Sequence, residues 1–324
     1  MRLGKLSPDE LRSVVFGKIT TERPEVVLAA ALGEDSAALD LSSDLCVVST
    51  DPITGASAEI GRLGVFIACN DVATNGAEPV GILLTIFVPP QATLEDIAQV
   101  MDQATAAADE VGVQIIGGHT EVTAAVNQMV ISCTAIGRVA RDKLLHNGCA
   151  KPGDALVLVR TAGLEGTAII AWDHAELLQE VFTEDELLEA RSLSRYLNIV
   201  PAARLARDNG AVSMHDVTEG GVLGAVFEMA EAAGLGLELS AIPVHPLTLK
   251  LCQHFSLDPL RLISSGALLV ATPTPNQVTS ALRAIGIPAQ QIGRFQSHNA
   301  KVTLEGEEVR APSGDELWEF KSRY

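Results

Sequence analysis

From residue 45 onward, strand-sized apolar runs alternate with helix-length segments, and that alternation confines the chain to an α/β architecture. LCVVST (45–50) reads as a buried strand. Residues 58–75 read as a helix, with Gly76 at its C-cap and Pro79 just beyond. VGILLTIFV (80–88) is the next strand. Thr93 then caps a helix that carries Ile97, Val100, Met101, Ala104 and Ala108 on one face. VQII (113–116) and QMVISCTAIGRV (128–139) follow as strands, so the order β-α-β-α-β-β makes one α/β unit. Ser7, Pro8 and Glu10 mark a helix start ahead of it.

KPGD (151–154) reads as a turn that restarts the pattern. ALVLVR is a strand, AVSMHDV leads into a helix beginning near Glu219, and GLELS, ALLVAT, QIGRF and KVTL are short strands. A chain of 324 residues exceeds one ordinary core, so two domains are expected, 1–150 and 151–324. No apolar run approaches the roughly 20 residues of a membrane helix, and MRLGKLSPDEL lacks the apolar region of a secretory signal. Five scattered cysteines without zinc spacing read as reduced thiols of a cytoplasmic protein. A net charge of -18 argues against a nucleic-acid partner.

Acids fall at the ends of the apolar segments. Glu34 and Asp35 follow LAAAL, Asp51 follows LCVVST, Asp71 continues the stripe of Ile60, Gly64 and Ile67, and Asp216 follows AVSMH. Each has a plain reading: a turn at Asp51-Pro52, a cap at Asp35 or Asp216. Converging on one crevice, however, such carboxylates would repel unless divalent cations lay between them, as Mg²⁺ does when phosphate oxygens complete its shell. Asn70 and Asp71 pose the same question, because both would be expensive to bury without partners. GGHT (117–120) after a strand and TEGG (218–221) at a helix start let backbone approach an anion. There is neither GxxxxGK[ST] nor GxGxxG after a strand, so a P-loop or Rossmann site is not expected.

GEDSAAL, VVSTDP, NDVATNGAEP, IIGGHTEV and HDVTEGG, in that order, resemble the aminoimidazole ribonucleotide synthetase (PurM) superfamily, and DPLRLISSG (258–266) is similar to its HypE-like branch. The resemblance implies a two-domain PurM-like fold. Its N-terminal sheet would form a barrel across a homodimer, and its C-terminal domain would be a mixed sheet with flanking helices. It implies ATP and Mg²⁺ as cofactors, used to phosphorylate an oxygen of an acceptor not identified by sequence. Asp35, Asp51 and Asp71 would be metal ligands. Thr50, Asn70, Gly117, Gly118, His119, Thr120, Asp216, Gly220 and Gly221 would line the nucleotide.

Three departures stand beside the resemblance. The chain ends ELWEFKSRY where HypE proteins end in the cysteine that carries their carbamoyl group, so self-dehydration as in HypE is not expected. His119 stands where relatives often have an acid, which leaves either one metal missing or Glu121 as a substitute ligand, with His119 itself a phosphate contact or an ordinary surface histidine. Glu219 stands where the HypE-type motif has arginine. A kinase of the thiamine-monophosphate type and a nucleotide-binding maturation protein without turnover are the competing readings. A selenophosphate synthetase would need an earlier reactive thiol than Cys46, which lies inside a strand.

Overall fold

The computed structural model describes residues 26–28, 31, 33–34, 37–40, 43–297 and 301–324. The helix start at Ser7, Pro8 and Glu10 lies outside the described residues, as does Asp35. The chain divides into two units, one of residues 25–29 and 35–144, the other of residues 1–24, 30–34 and 145–324.

The first unit holds β1 (Val26–Leu28), β2 (Ala37–Asp40), β3 (Asp44–Ile53), α1 (Ile60–Thr74), β4 (Glu78–Val88), α2 (Leu94–Val111), β5 (Gln114–Val122) and β6 (Val130–Ala140). The β-α-β-α-β-β order is therefore preceded by two short strands that sequence patterning passed over. The sheet runs β1-β2-β3-β6-β4-β5, antiparallel except for the β4–β5 pair. Every residue of α1 but Arg62 is buried. A helix apolar all round needs cover on both sides, and it has it. Gly64 faces Ile53, Ile131 and Cys133 of the sheet, while Gly61 faces Val100 and Gln103 of α2. Gln103 also completes the helix start, accepting from Gly61 N and donating to Ala58 O. In α2, Thr93 and Asp96 form the reciprocal capping box.

The second unit holds β7 (Ala155–Val159), α3 (Leu164–Asp173), α4 (Glu184–Ser192), α5 (Val200–Asp208), β8 (Ser213–Asp216), α6 (Gly221–Ala233), β9 (Gly236–Leu239), α7 (Pro246–Phe255), β10 (Leu268–Thr272), α8 (Pro275–Ala284), β11 (Ala289–Gln296), β12 (Val302–Leu304), β13 (Glu307–Glu308) and α9 (Glu316–Arg323). Its mixed sheet runs β13-β12-β9-β11-β7-β10-β8. ALVLV of β7 and LLVAT of β10 are buried on both faces, which is why they read as unbroken apolar runs rather than alternations. Lys151 N donates to Asp154 Oδ2 at 2.8 Å, closing the KPGD turn.

Candidate functional site

In the first unit the polar end of α1 is buried: Asn70, Asp71, Thr74 and the following Asn75 are all shielded. Two hydrogen bonds there, one within the helix and one from the sheet, hold Asp71. Thr74 Oγ1 donates to Asp71 O at 2.7 Å, and Ser49 Oγ donates to Asp71 Oδ2 at 2.6 Å. The helical stripe through Ile60, Gly64 and Ile67 turns Asp71 toward the sheet. The two-residue period of β3 turns Ser49 and Asp51 the same way as the buried Leu45, Val47 and Ile53. Asp51 pairs in register with Cys133. Burial, and then the charge of Asp51, push the Cys133 thiol up to about 12. Asp51 and Asp71 thus share the α1 side of the sheet.

Sequence reading places Asp51 after a strand; it lies inside β3, which continues to Ile53. The proline at 52 is tolerated because, among the described residues, β2 reaches only as far as Val48, so β3 has one neighbour there. The other expected contacts do not all join this face. Thr50 points to the opposite side, where Thr134 Oγ1 donates to it at 2.8 Å and Ser132 Oγ lies at 3.5 Å. His119 pairs with Thr85, and Thr85 with Ser132, so His119 and Glu121 belong to that opposite face too. His119 Nε2 lies 3.7 Å from Glu121 Oε2, both side chains exposed.

GGHT is not a loop after a strand but the middle of β5, with Thr120 also exposed. Gly117 and Gly118 follow a bulge in the β4–β5 ladder. At Gly118 φ is +149°, and a Cβ would stand 1.9 Å from Leu84 O, so the close strand pairing itself demands glycine.

The second unit gathers its own acids around the start of α6. Asp216 is the buried last residue of β8 rather than an N-cap, a position held by Gly220. Gly220 N donates to Asp315 Oδ2 at 2.6 Å, and Gly221 N donates to Thr218 O at 3.1 Å. The amide of Gly220, expected to meet a phosphate, meets a carboxylate of the chain's own C-terminal segment. Asp315 Oδ1 also accepts from Leu317 N at 2.8 Å, as N-cap of α9, and from Ile263 N at 3.2 Å. Burial pushes Asp315 up to about 6 against those three hydrogen bonds, and the Glu219 charge adds to it. Glu219 accepts from Trp318 Nε1. Glu165, buried in α3, accepts from Ser265 N at 3.2 Å; burial raises it to about 7, helped by the charges of Asp315 and Glu219.

Sequence reasoning missed Ser49 and Asp315. The alternation that places Asp51 also places Ser49, and SGDEL at 313–317 is an N-cap signature. Among the described residues no three His, Cys, Asp or Glu side chains are grouped to hold a metal, and no helix is long and apolar enough to cross a membrane.

Residues 33–139 match the family model of the AIR synthase related protein, N-terminal domain, and residues 151–305 that of the C-terminal domain. The chain is 30% identical to a carbamoyl dehydratase HypE of Bradyrhizobium diazoefficiens over 277 residues, 81% of this chain and 78% of that protein. It is similar to the crystal structure of E. coli HypE, described as a hydrogenase maturation protein, at 26% identity and a TM-score of 0.73, covering 89% of this chain and 92% of that one. A structure of HypE in complex with ATP shares the fold at 22% identity and a TM-score of 0.71, covering 95% of each chain. With its PurM-like fold, matched in both halves and flanked by HypE relatives, the chain belongs to the AIR synthase related family.

Proposed function

We propose that this chain is an ATP-dependent enzyme of the HypE type, which phosphorylates an oxygen of an acceptor and so converts that oxygen into a leaving group. The observation that carries the reading is the buried polar end of α1, where Ser49 holds Asp71 on the side of the sheet that also bears Asp51. The HypE relatives and the ATP described with one HypE structure support it.

The donors suit Mg²⁺, which takes one or two carboxylates and completes its shell with phosphate oxygens and water. Asp51 and Asp71 would hold the ion, with Asp35 as a further ligand and Asn70 as a neutral oxygen donor. When bound, Mg²⁺ supplies charge neutralisation at the phosphate oxygens. The chain's own part is positional: Ser49 fixes the Asp71 carboxylate through Oδ2, and Thr74 closes the helix end beneath it.

The proposal extends to a homodimer. The edge strand β5 leaves Ile116 and Val122 exposed, and an unprotected edge of this length invites pairing. One observation favours a second reading, nucleotide binding without turnover: Asp315 takes the Gly220 amide and Glu219 sits beside it, which makes the start of α6 unwelcoming to phosphate. Steady ADP release with a defined acceptor excludes that reading.

The test is the thermal midpoint with and without ATP, at zero and millimolar Mg²⁺, for the wild type, Asp71→Asn and Asp51→Asn. Ligand at 100 times its Kd stabilises the native state by about 2.7 kcal/mol. A Mg²⁺-dependent rise in the wild type that both variants lose supports the reading. Absence of any shift in folded wild type refutes it.

A further inference from the structure

Apart from these acids, the second unit brings together one cysteine, one histidine and one carboxylate. Cys149 Sγ lies 3.0 Å from His146 Nε2. The other ring nitrogen, Nδ1, lies 3.8 Å from Glu34 Oε1. Thiol, Nε2, Nδ1, carboxylate is the order of a nucleophile, its base and the group that orients the base.

His146 and Cys149 are three residues apart, Glu34 is distant in sequence, and Asn147 explains how Glu34 meets them. Its buried side chain donates through Nδ2 to Gly33 O and accepts through Oδ1 from Ser213 Oγ of β8 at 2.8 Å. Gly33 in turn lies against α6: its φ is +73°, and a Cβ would stand 2.7 Å from Glu228 O. The residue before Glu34 and the residue after His146 are therefore pinned to each other and to the same strand. Pinning of this kind preorganises the group rather than leaving it to chance rotamers.

The contrast with the other thiols singles out Cys149. Its side chain and that of His146 are half-buried, whereas the Glu34 side chain is only 9% exposed. Cys69, Cys133 and Cys252 are buried, and burial pushes their thiols up, Cys133 and Cys252 to about 12. Burial raises Cys46 as well. Cys46 is half-buried like Cys149, so what distinguishes Cys149 is its histidine partner, the pattern of a site-selective cysteine.

We infer that Cys149 is a nucleophilic thiol, set up by His146 and Glu34, that exchanges with low-molecular-weight disulfides. His146 Nε2 takes the thiol proton and the Cys149 sulfur attacks one sulfur of the disulfide. A new S–S bond forms and the old one breaks, its electron pair leaving with the departing thiolate, which recovers the proton from His146. Cys149 is oxidised to the mixed disulfide and the departing half is reduced to a thiol. Sulfur exchange suits the site better than acyl transfer. Acyl transfer needs donors for a developing oxyanion, and the N–H of Cys149 is already committed to His146 O at 3.0 Å.

The experiment treats the full chain at pH 7 with 5,5′-dithiobis(2-nitrobenzoate) and, separately, with oxidised glutathione, and maps the modified peptide by mass. A free thiol with its ordinary pKa near 8.5 is only about 3% thiolate at this pH. We expect one fast thiol per chain, Cys149, reacting at least about tenfold faster than N-acetylcysteine. His146→Gln should abolish that advantage at an unchanged thermal midpoint, and Cys149→Ser should remove the fast phase. A fast phase mapped to another cysteine, Cys149 reacting no faster than N-acetylcysteine, or a rate indifferent to His146→Gln in folded protein overturns the inference. Should His146→Gln not fold, the wild-type comparison with N-acetylcysteine decides alone.

Discussion

Two buried groups of acids, one in each unit, are kept in different ways. At the end of α1, Asp71 receives a hydroxyl from Ser49, a neighbour placed by strand periodicity. At the start of α6, Asp315 receives three backbone N–H groups, from Gly220, Ile263 and Leu317, and beside it Glu165 receives one from Ser265. The difference teaches what each group is for. Backbone donors lock Asp315 between α6, the 258–266 segment and α9, where it works as a structural bolt. At Asp71 a side-chain hydroxyl, from Ser49, takes part in positioning the carboxylate, an arrangement compatible with a carboxylate kept for a cation.

The largest effect that would break this contrast is at the bolt. Asp315→Ala leaves three backbone donors without their acceptor and removes the N-cap of α9. A loss of roughly 3 kcal/mol in urea unfolding is expected, with Asp315→Asn losing less. If Asp315→Ala is as stable as the wild type, the carboxylate is not the bolt.

Next comes pH. Glu165 has its folded pKa raised to about 7, by burial first, above an ordinary 4.5. A raised acid contributes stability that is fully present below about 4.5 and lost as pH rises through about 7. The wild type should therefore lose ground to Glu165→Gln between pH 5 and pH 8, by an amount on the order of 2–3 kcal/mol, while the glutamine still accepts from Ser265 N. Midpoints of both proteins across that range check it. A constant difference at every pH would mean Glu165 does not titrate there.

At the other group, Ser49→Ala should cost about 2 kcal/mol of stability, the worth of one hydrogen bond to a charged group. It should also weaken, without abolishing, the Mg²⁺-dependent thermal shift with ATP. A larger stability loss than that of Asp315→Ala would reverse the comparison.

How far all this was legible in the sequence follows from which signals are local. The helix over Ile60–Thr74 is legible because its apolar run, its glycine stop and the following proline are all written within a few residues. Asp71 is legible for the same reason, as one more member of a helical stripe. The strand through GGHT is not, because a glycine pair ordinarily marks a turn. Only the non-local approach of Leu84 shows that glycine is needed inside β5. Nor is the bolt: Gly220 and Asp315 lie 95 residues apart, and nothing near TEGG says that a carboxylate rather than a phosphate will meet its amide. The side of the sheet on which His119 falls depends on register, which one chain of letters does not reveal.

That last point supplies the smallest and sharpest prediction. Register puts His119 beside Thr85 on the face away from Asp51 and Asp71, exposed, with Glu121 Oε2 3.7 Å from its Nε2. An exposed pair at that distance contributes little. His119→Ala should change stability by no more than about 0.5 kcal/mol and leave the Mg²⁺-dependent shift of a single chain's α1 site intact. Loss of that shift in His119→Ala would mean the edge strand reaches the nucleotide after all. The site would then need both faces of the sheet, as a barrel closed by a second copy would provide, and the division drawn between the two faces would have to be given up.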